Sequence, residues 1–127
     1  MDYPEHLKYT TEHEWVELPE EGHARVGITQ YAADALGDIV YVQLPEVGSQ
    51  LTAGEACAEV ESTKSVNELY SPVSGEVVEV NSEVDTNPGV INSDPYGQGW
   101  IFKAKVTDVG ELLTADEYAE HADQAED

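Results

Sequence analysis

Apolar and polar residues alternate along much of the chain, and glycine, proline and asparagine punctuate the alternation. "EHEWVEL" and "HARVGI" carry the period-two pattern of half-buried strands, and "PEEG" between them reads as a turn, so a hairpin is predicted. "TQYAADALGD" changes the period: Thr29 can cap, alanine and leucine favour helix, and Gly37 supplies a left-handed stop. A short helix is expected over about 30–36, followed by a β-branched strand, "DIVYVQL", that Pro45 closes. "ACAEVE" then alternates again, "STKS" breaks the pattern with three hydroxyl residues able to bond local backbone, and "VNELY" resumes it. This places Lys64 at the tip of a second hairpin.

Downstream, Ser74-Gly75 reads as a turn into the β-rich "EVVEV", "NSDPYGQGW" as a loop, and "WIFKAKV" as the last strand. Thr114 and Glu117 form a capping box with Leu113 and Tyr118 as a hydrophobic staple, which starts a C-terminal helix whose acidic remainder should fray beyond Tyr118. Slid by 33 residues, "VGSQLTAGEACA" (47–58) falls on "VNSEVDTNPGVI" (80–91), Leu51 on Val84 and Cys57 on Val90. Two copies are too few for a solenoid, so the repeat predicts two similar β-units about an approximate two-fold axis. The expected class is mostly β, with a short internal helix and a C-terminal helix.

At 127 residues the chain suits one domain, 1–127, and 40% hydrophobic content suffices for a core. The charge adds a constraint. With 27 acidic and five basic residues, the net charge of −22 disfavours nucleic acid and anionic lipid as partners. The composition resembles that of halophilic proteins, and the N-terminus has neither the basic start nor the apolar run of a signal peptide, which points to the cytoplasm. Cys57, the single cysteine, has no partner for a disulfide or a CxxC metal motif and reads as a packing residue.

No nucleophile triad, HExxH, P-loop or GxGxxG is present, and the EF-hand ladder is missing, so neither a catalytic residue nor a metal site is expected. His6, His13 and His23 lack ligand spacing and read as surface residues. Lys64 stands out. It is one lysine on a turn, between Glu61 and Glu68, in a chain almost without lysine. By itself it is either a solvated surface charge or a projecting handle that a separate enzyme recognises and acylates.

The stretch "VESTKSVNELYSPVSGEVVEVN" resembles the lipoyl-lysine segment of the glycine cleavage system H protein family, and "KYTTEHEWVE", "VGITQYAADALGDIVYVQLPEVG" and "PGVINSDPYGQGW" resemble that family in the same order. The resemblance spans about Leu7 to Tyr118. It implies a lipoyl-domain-like fold, a flattened barrel-sandwich hybrid of two pseudo-symmetric halves. It further implies lipoate covalently attached to Lys64, with Glu61 and Gly75 in the segment read by the lipoate-attaching enzyme. Glu14, with Glu12 and Asn67, matches positions at the cleft that receives the aminomethyl-loaded arm. Glu12 departs from the small residue common there, and Thr63 from the usual apolar neighbour of the lysine. The implied protein is a monomeric carrier, not an enzyme. Its partners would be glycine decarboxylase, the aminomethyltransferase and dihydrolipoamide dehydrogenase.

A lipoyl domain of a 2-oxoacid dehydrogenase shares the lysine hairpin but not the "HEWV…VGIT" start or the "PYGQGW" close. A biotin carrier sets its lysine between methionines, and Met1 is the only methionine here. A lipoyl-relay or H-like protein would use the same lysine and hairpin, and the residues leave it open. The charge yields a first prediction. Screening shortens from about 10 Å at 0.1 M salt to about 3 Å at 1 M, so the unmodified protein should unfold with poor cooperativity in dilute buffer and regain it in molar KCl. Thermal unfolding that is unchanged over that range would refute the salt requirement.

Overall fold

The structure, a computed structural model, describes residues 3–20 and 22–125. Among these described residues nine strands and four short helices follow in the order β1 (Lys8–Tyr9), β2 (Glu14–Glu20), β3 (His23–Ile28), α1 (Gln30–Leu36), β4 (Ile39–Gln43), β5 (Gln50–Leu51), β6 (Ala56–Ser62), β7 (Val66–Tyr70), β8 (Val73–Val80), α2 (Ser82–Thr86), α3 (Val90–Ser93), β9 (Phe102–Val109) and α4 (Ala115–Ala125). They form a six-stranded sheet, β1-β2-β3-β9-β8-β5, and a three-stranded sheet, β4-β6-β7, with every pairing antiparallel. The fold is mostly β, as expected. The sheets are unequal and open-edged and do not close into a barrel.

Several elements form for the local reasons read from the sequence. Glu14–Glu20 and His23–Ile28 make the first hairpin, although Glu21 of the predicted turn lies outside the described residues. Thr29 caps α1 by accepting from Ala32 N–H, and Gly37 ends it at φ 82, donating to the Ala33 carbonyl. The capping box of α4 is present in both directions: Thr114 N–H donates to Glu117 Oε1 at 2.9 Å and Glu117 N–H to Thr114 Oγ1 at 3.2 Å. The staple holds too, since Leu113 packs with Tyr118 in one apolar cluster.

Four expectations need correction. The helix does not fray at Tyr118 but runs to Ala125, because Ala122 is buried and a His121 ring nitrogen lies 3.1 Å from the Thr11 carbonyl. The 33-residue repeat survives in burial and not in backbone form. Leu51 and Val84 are both buried, but one lies in β5 and the other in α2, where Asn81 accepts from Glu83 N–H and two acidic residues occupy the first turn. Part of the predicted "NSDPYGQGW" loop is likewise helical, since α3 takes in Asn92 and Ser93. Finally, Ser74-Gly75 is not a turn. Gly75 sits inside β8 at an irregularity of the register, with φ 154, and a Cβ there would lie 1.9 Å from the Lys105 carbonyl oxygen.

One core fills the space between the sheets: Val16, Val26 and Val77 come from the six-stranded sheet, and Val42, Val60 and Leu69 from the other. Burying a side chain of this kind fully contributes roughly 1.5–3 kcal/mol. A second cluster of Leu7, Tyr9, Trp15, Ala115, Tyr118 and Ala122 fastens α4 to the start of the chain. Four of the five basic residues, Lys8, Arg25, Lys103 and Lys105, lie on the six-stranded sheet, where Arg25 pairs with Glu17 and Lys103 with Glu79. Lys64 is left alone on the other sheet. Because neither β8 nor β9 has room for a methyl group at the irregularity, Gly75→Ala should destabilise the fold by about 3 kcal/mol or more. Denaturant unfolding within about 1 kcal/mol of the unsubstituted protein would contradict this.

Candidate functional site: a lysine hairpin above a cleft between the sheets

Strands β6 and β7 pair Glu61 with Val66 and Val60 with Asn67, leaving 63–65 as the hairpin tip. Ser62 organises it. Its N–H donates to the Ser65 carbonyl at 2.8 Å, and its hydroxyl oxygen accepts from Lys64 N–H and Ser65 N–H, each at 3.2 Å. One side chain thus satisfies the backbone groups that a three-residue tip would otherwise leave to water. Thr63 N–H donates to the Asp38 carbonyl at 3.0 Å, tying the tip to the end of α1. Lys64 is exposed, its stem lies over Gly37, and it joins no ion pair among the described residues.

Beneath the hairpin lies a cleft of about 510 Å³ between the sheets. Ile28, Leu36, Val60 and Leu69 supply apolar lining, while Glu12, His13, Glu14 and Asn67 supply polar groups. Asn67 also donates to Ser65 Oγ at 2.9 Å, which links the cleft mouth to the tip. Glu14 is the unusual residue, since a glutamate is seldom fully buried and this one is 2% exposed. Thr10 Oγ1 donates to its Oε1 at 2.6 Å, and Tyr70 N–H donates to its Oε2 at 3.3 Å. Burial pushes the carboxyl up to about 7 from 4.5; these two bonds oppose the rise and the nearby Glu12 charge adds to it.

The structure therefore brings Glu12, Glu14 and Asn67 to one cleft, with Lys64 at the tip of the hairpin that borders it. Glu61 is exposed on β6, opposite Tyr41 and Val66, beside the hairpin tip. Gly75 lies in the other sheet, where steric crowding accounts for the glycine. Cys57 packs against the core and donates to the Leu69 carbonyl, with burial pushing its thiol up to about 12. No metal-holding group of His, Cys, Asp and Glu occurs among the described residues. No described helix is long and apolar enough to cross a membrane.

Sequence reasoning missed two features. A second cavity of about 530 Å³, lined by Thr10, Ala53, Pro72 and Gly110 among others, shares Glu12, Glu14 and Tyr70 with the cleft, so the carboxyl lies between two hollows. His13 is no surface histidine. It is half-buried, its Nδ1 lies 2.7 Å from the Tyr118 hydroxyl, and its φ is 71. The signal for either would have been long-range pairing, which a single chain does not display.

The family model for "Glycine cleavage H-protein" matches residues 7–125. The chain belongs to the glycine cleavage H-protein family. It is 59% identical to the glycine cleavage system H protein of Beutenbergia cavernae over 94% of this chain and 95% of that one. It is 56% identical to that of Streptomyces coelicolor, over 96% and 98%. The crystal structure of a glycine cleavage system H protein from Mycobacterium marinum superposes with a TM-score of 0.89 at 50% identity, covering 98% of this chain and 99% of the other. These family members lend no support to the halophilic origin read from the charge.

The Glu14 environment makes a prediction for pH. The folded state favours the protonated carboxyl, so the stability this group contributes is complete below about pH 4.5 and is lost as pH rises through about 7. Glu14→Gln removes the titration, and its oxygen can still accept from Tyr70 N–H. Relative to the unsubstituted protein it should gain up to about 3 kcal/mol between those pH values. Parallel stability–pH curves for the two proteins would contradict the burial argument.

Proposed function

We propose that the chain is the lipoyl-bearing carrier of a glycine cleavage system, with lipoate in amide linkage to the Lys64 Nζ. The observation that carries the reading is one exposed lysine on a pinned hairpin, above a cleft that ends on a buried carboxyl. The family membership and the names of its relatives support it. The residues fit the group: the Nζ stands in the open for an attaching enzyme, and the cleft has an apolar flank for a hydrocarbon arm and an acidic end for an amine. When bound, lipoate supplies a dithiolane on a flexible arm that takes up an aminomethyl group from glycine decarboxylase and yields it to the aminomethyltransferase, and dihydrolipoamide dehydrogenase reoxidises the dithiol.

The chain's own work is to hold, shield and release. Ser62 and the Asp38 carbonyl fix the root of the arm, so that its reach is set by the arm and not by a wandering loop. Ile28, Leu36, Val60 and Leu69 exclude water along the cleft wall. At its end Glu14 accepts hydrogen bonds from a primary ammonium, with Glu12 and Asn67 beside it. A carboxyl poised near 7 suits this, because an arriving cation favours the carboxylate and an empty cleft tolerates the neutral acid. Glu61, beside the tip, is the acidic residue an attaching enzyme would read, and Gly75 serves that recognition indirectly by keeping the β8 path. The acidic surface suits partner enzymes with basic rims around their entrances. The carrier works as a one-domain monomer in the cytoplasm, without catalytic residues of its own.

Reconstitution with the three enzymes tests the reading. Lys64→Arg should abolish glycine-dependent transfer while leaving the fold intact, and transfer that persists in this variant would overturn it. Glu14→Ala should pass the group on after loading but lose it to water faster; near-normal hydrolysis and transfer rates would remove Glu14 from the cleft's chemistry.

A further inference from the structure

The turn that carries Glu12 and Glu14 closes on itself. Thr10 N–H donates to the Glu14 carbonyl, Thr10 Oγ1 accepts from the N–H groups of Glu12 and Glu14, and His13 N–H donates to the Thr10 carbonyl. A three-residue hairpin loop of this kind wants glycine at its left-handed position. His13 occupies that position at φ 71, the only residue other than glycine with positive φ among those described. Such a conformation persists when surrounding contacts over-determine it. Here the contacts are those of the ring: Nδ1 meets the Tyr118 hydroxyl at 2.7 Å, the ring packs 4.8 Å from Tyr31 between centroids, and His121 stands 5.7 Å away.

The hydroxyls fix the direction of these bonds. Tyr118 Oη also lies 2.8 Å from Thr29 Oγ1, which accepts from Ala32 N–H, and both Tyr118 and Thr29 are buried. If Thr29 donates to Tyr118 and Tyr118 donates to His13 Nδ1, every group is satisfied. The reverse order leaves the Thr29 hydroxyl hydrogen without an acceptor among the described residues, which is costly at a buried site. The imidazole is then neutral, in keeping with burial that lowers its pKa. His121 adds a second tie between α4 and the turn, at the Thr11 carbonyl.

We propose that His13 is a positioning residue for the cleft: held by the Tyr118 hydroxyl, it shuts the Thr10–Glu14 turn behind the Glu14 carboxyl and so lets the C-terminal helix set how deeply that carboxyl is buried. The functional value of this rests on the carrier reading above; the structural claim does not. A residue kept only for packing would be replaceable by glycine, which relieves the backbone. A positioning residue would not be.

The test uses the unlipoylated protein first, with the Glu14 carboxyl followed by carbon-13 NMR through a pH titration. His13→Gly should keep the thermal midpoint yet bring the Glu14 midpoint below about 6, as water reaches the carboxyl. Tyr118→Phe, which retains the ring stacked on Tyr9, should do the same. His13→Asn, which tolerates the left-handed backbone and offers an oxygen in place of Nδ1, should restore the high value. An unmoved Glu14 midpoint in both His13→Gly and Tyr118→Phe overturns the proposal, and so does an asparagine variant that titrates like the glycine one. In the lipoylated, loaded protein, His13→Gly should lose its aminomethyl group roughly tenfold faster, the scale of one hydrogen bond to a charged group. If Glu14→Gln loses the group no faster than the unsubstituted protein, the carrier cleft is misread, while the titration still decides the role of His13.

Discussion

The Glu14 carboxyl joins the two sheets. It stands on the first residue of β2 in the six-stranded sheet, and its Oε2 accepts from the backbone N–H of Tyr70 at the end of β7 in the other. A buried carboxyl without partners would be driven out or neutralised, so this one dictates its surroundings: Thr10 must turn inward to donate, Tyr70 must leave its N–H to it, and the Thr10–Glu14 turn must stay closed. The cleft exists because the sheets are held at this tie while the Lys64 hairpin extends past it. A carbon–carbon contact at the same place would hold the sheets as well. It would not leave a group that responds to a cation.

The hairpin meets the opposite requirement. As the attachment point proposed above, Lys64 has to be exposed to several enzymes, yet a floating loop would spread the arm over a wide volume. Ser62 resolves this locally, spending one hydroxyl on two backbone N–H groups, and the Thr63–Asp38 bond anchors the tip to the end of a helix. The scarcity of basic residues sharpens the result. Arg25 and Lys103 are engaged by Glu17 and Glu79 on the far sheet, so the one cation of the hairpin is free to be modified without removing a tie from the fold.

How much of this the sequence disclosed depended on range. The 30–36 helix, both hairpins and the α4 capping box were legible because their causes lie within a few residues: a hydroxyl at the cap, a glycine at the stop, a period-two pattern. The two helices between Val80 and Ile101 were not, because β-branched Val84 and Val90 fit a strand alignment, and only the Asn81 cap with its following acids argued otherwise. Within the site, Lys64 could be singled out from composition alone. Glu14, Glu12 and Asn67 came only through resemblance, since their meeting depends on sheet packing across more than 50 residues. His13 was misjudged as a surface residue because its partners, Tyr118 and Thr29, lie on elements that only the folded chain brings together.

The claim on which the account turns is chemical: that Lys64, and no other lysine, carries a lipoyl group. Intact mass of the protein purified from its native cells, with the modified peptide sequenced, tests it directly. The account predicts a single lipoyl increment on Lys64, with Lys8, Lys103 and Lys105 unmodified. An unmodified Lys64 in cells whose other lipoyl proteins are loaded would contradict it and return this lysine to the role of a surface charge.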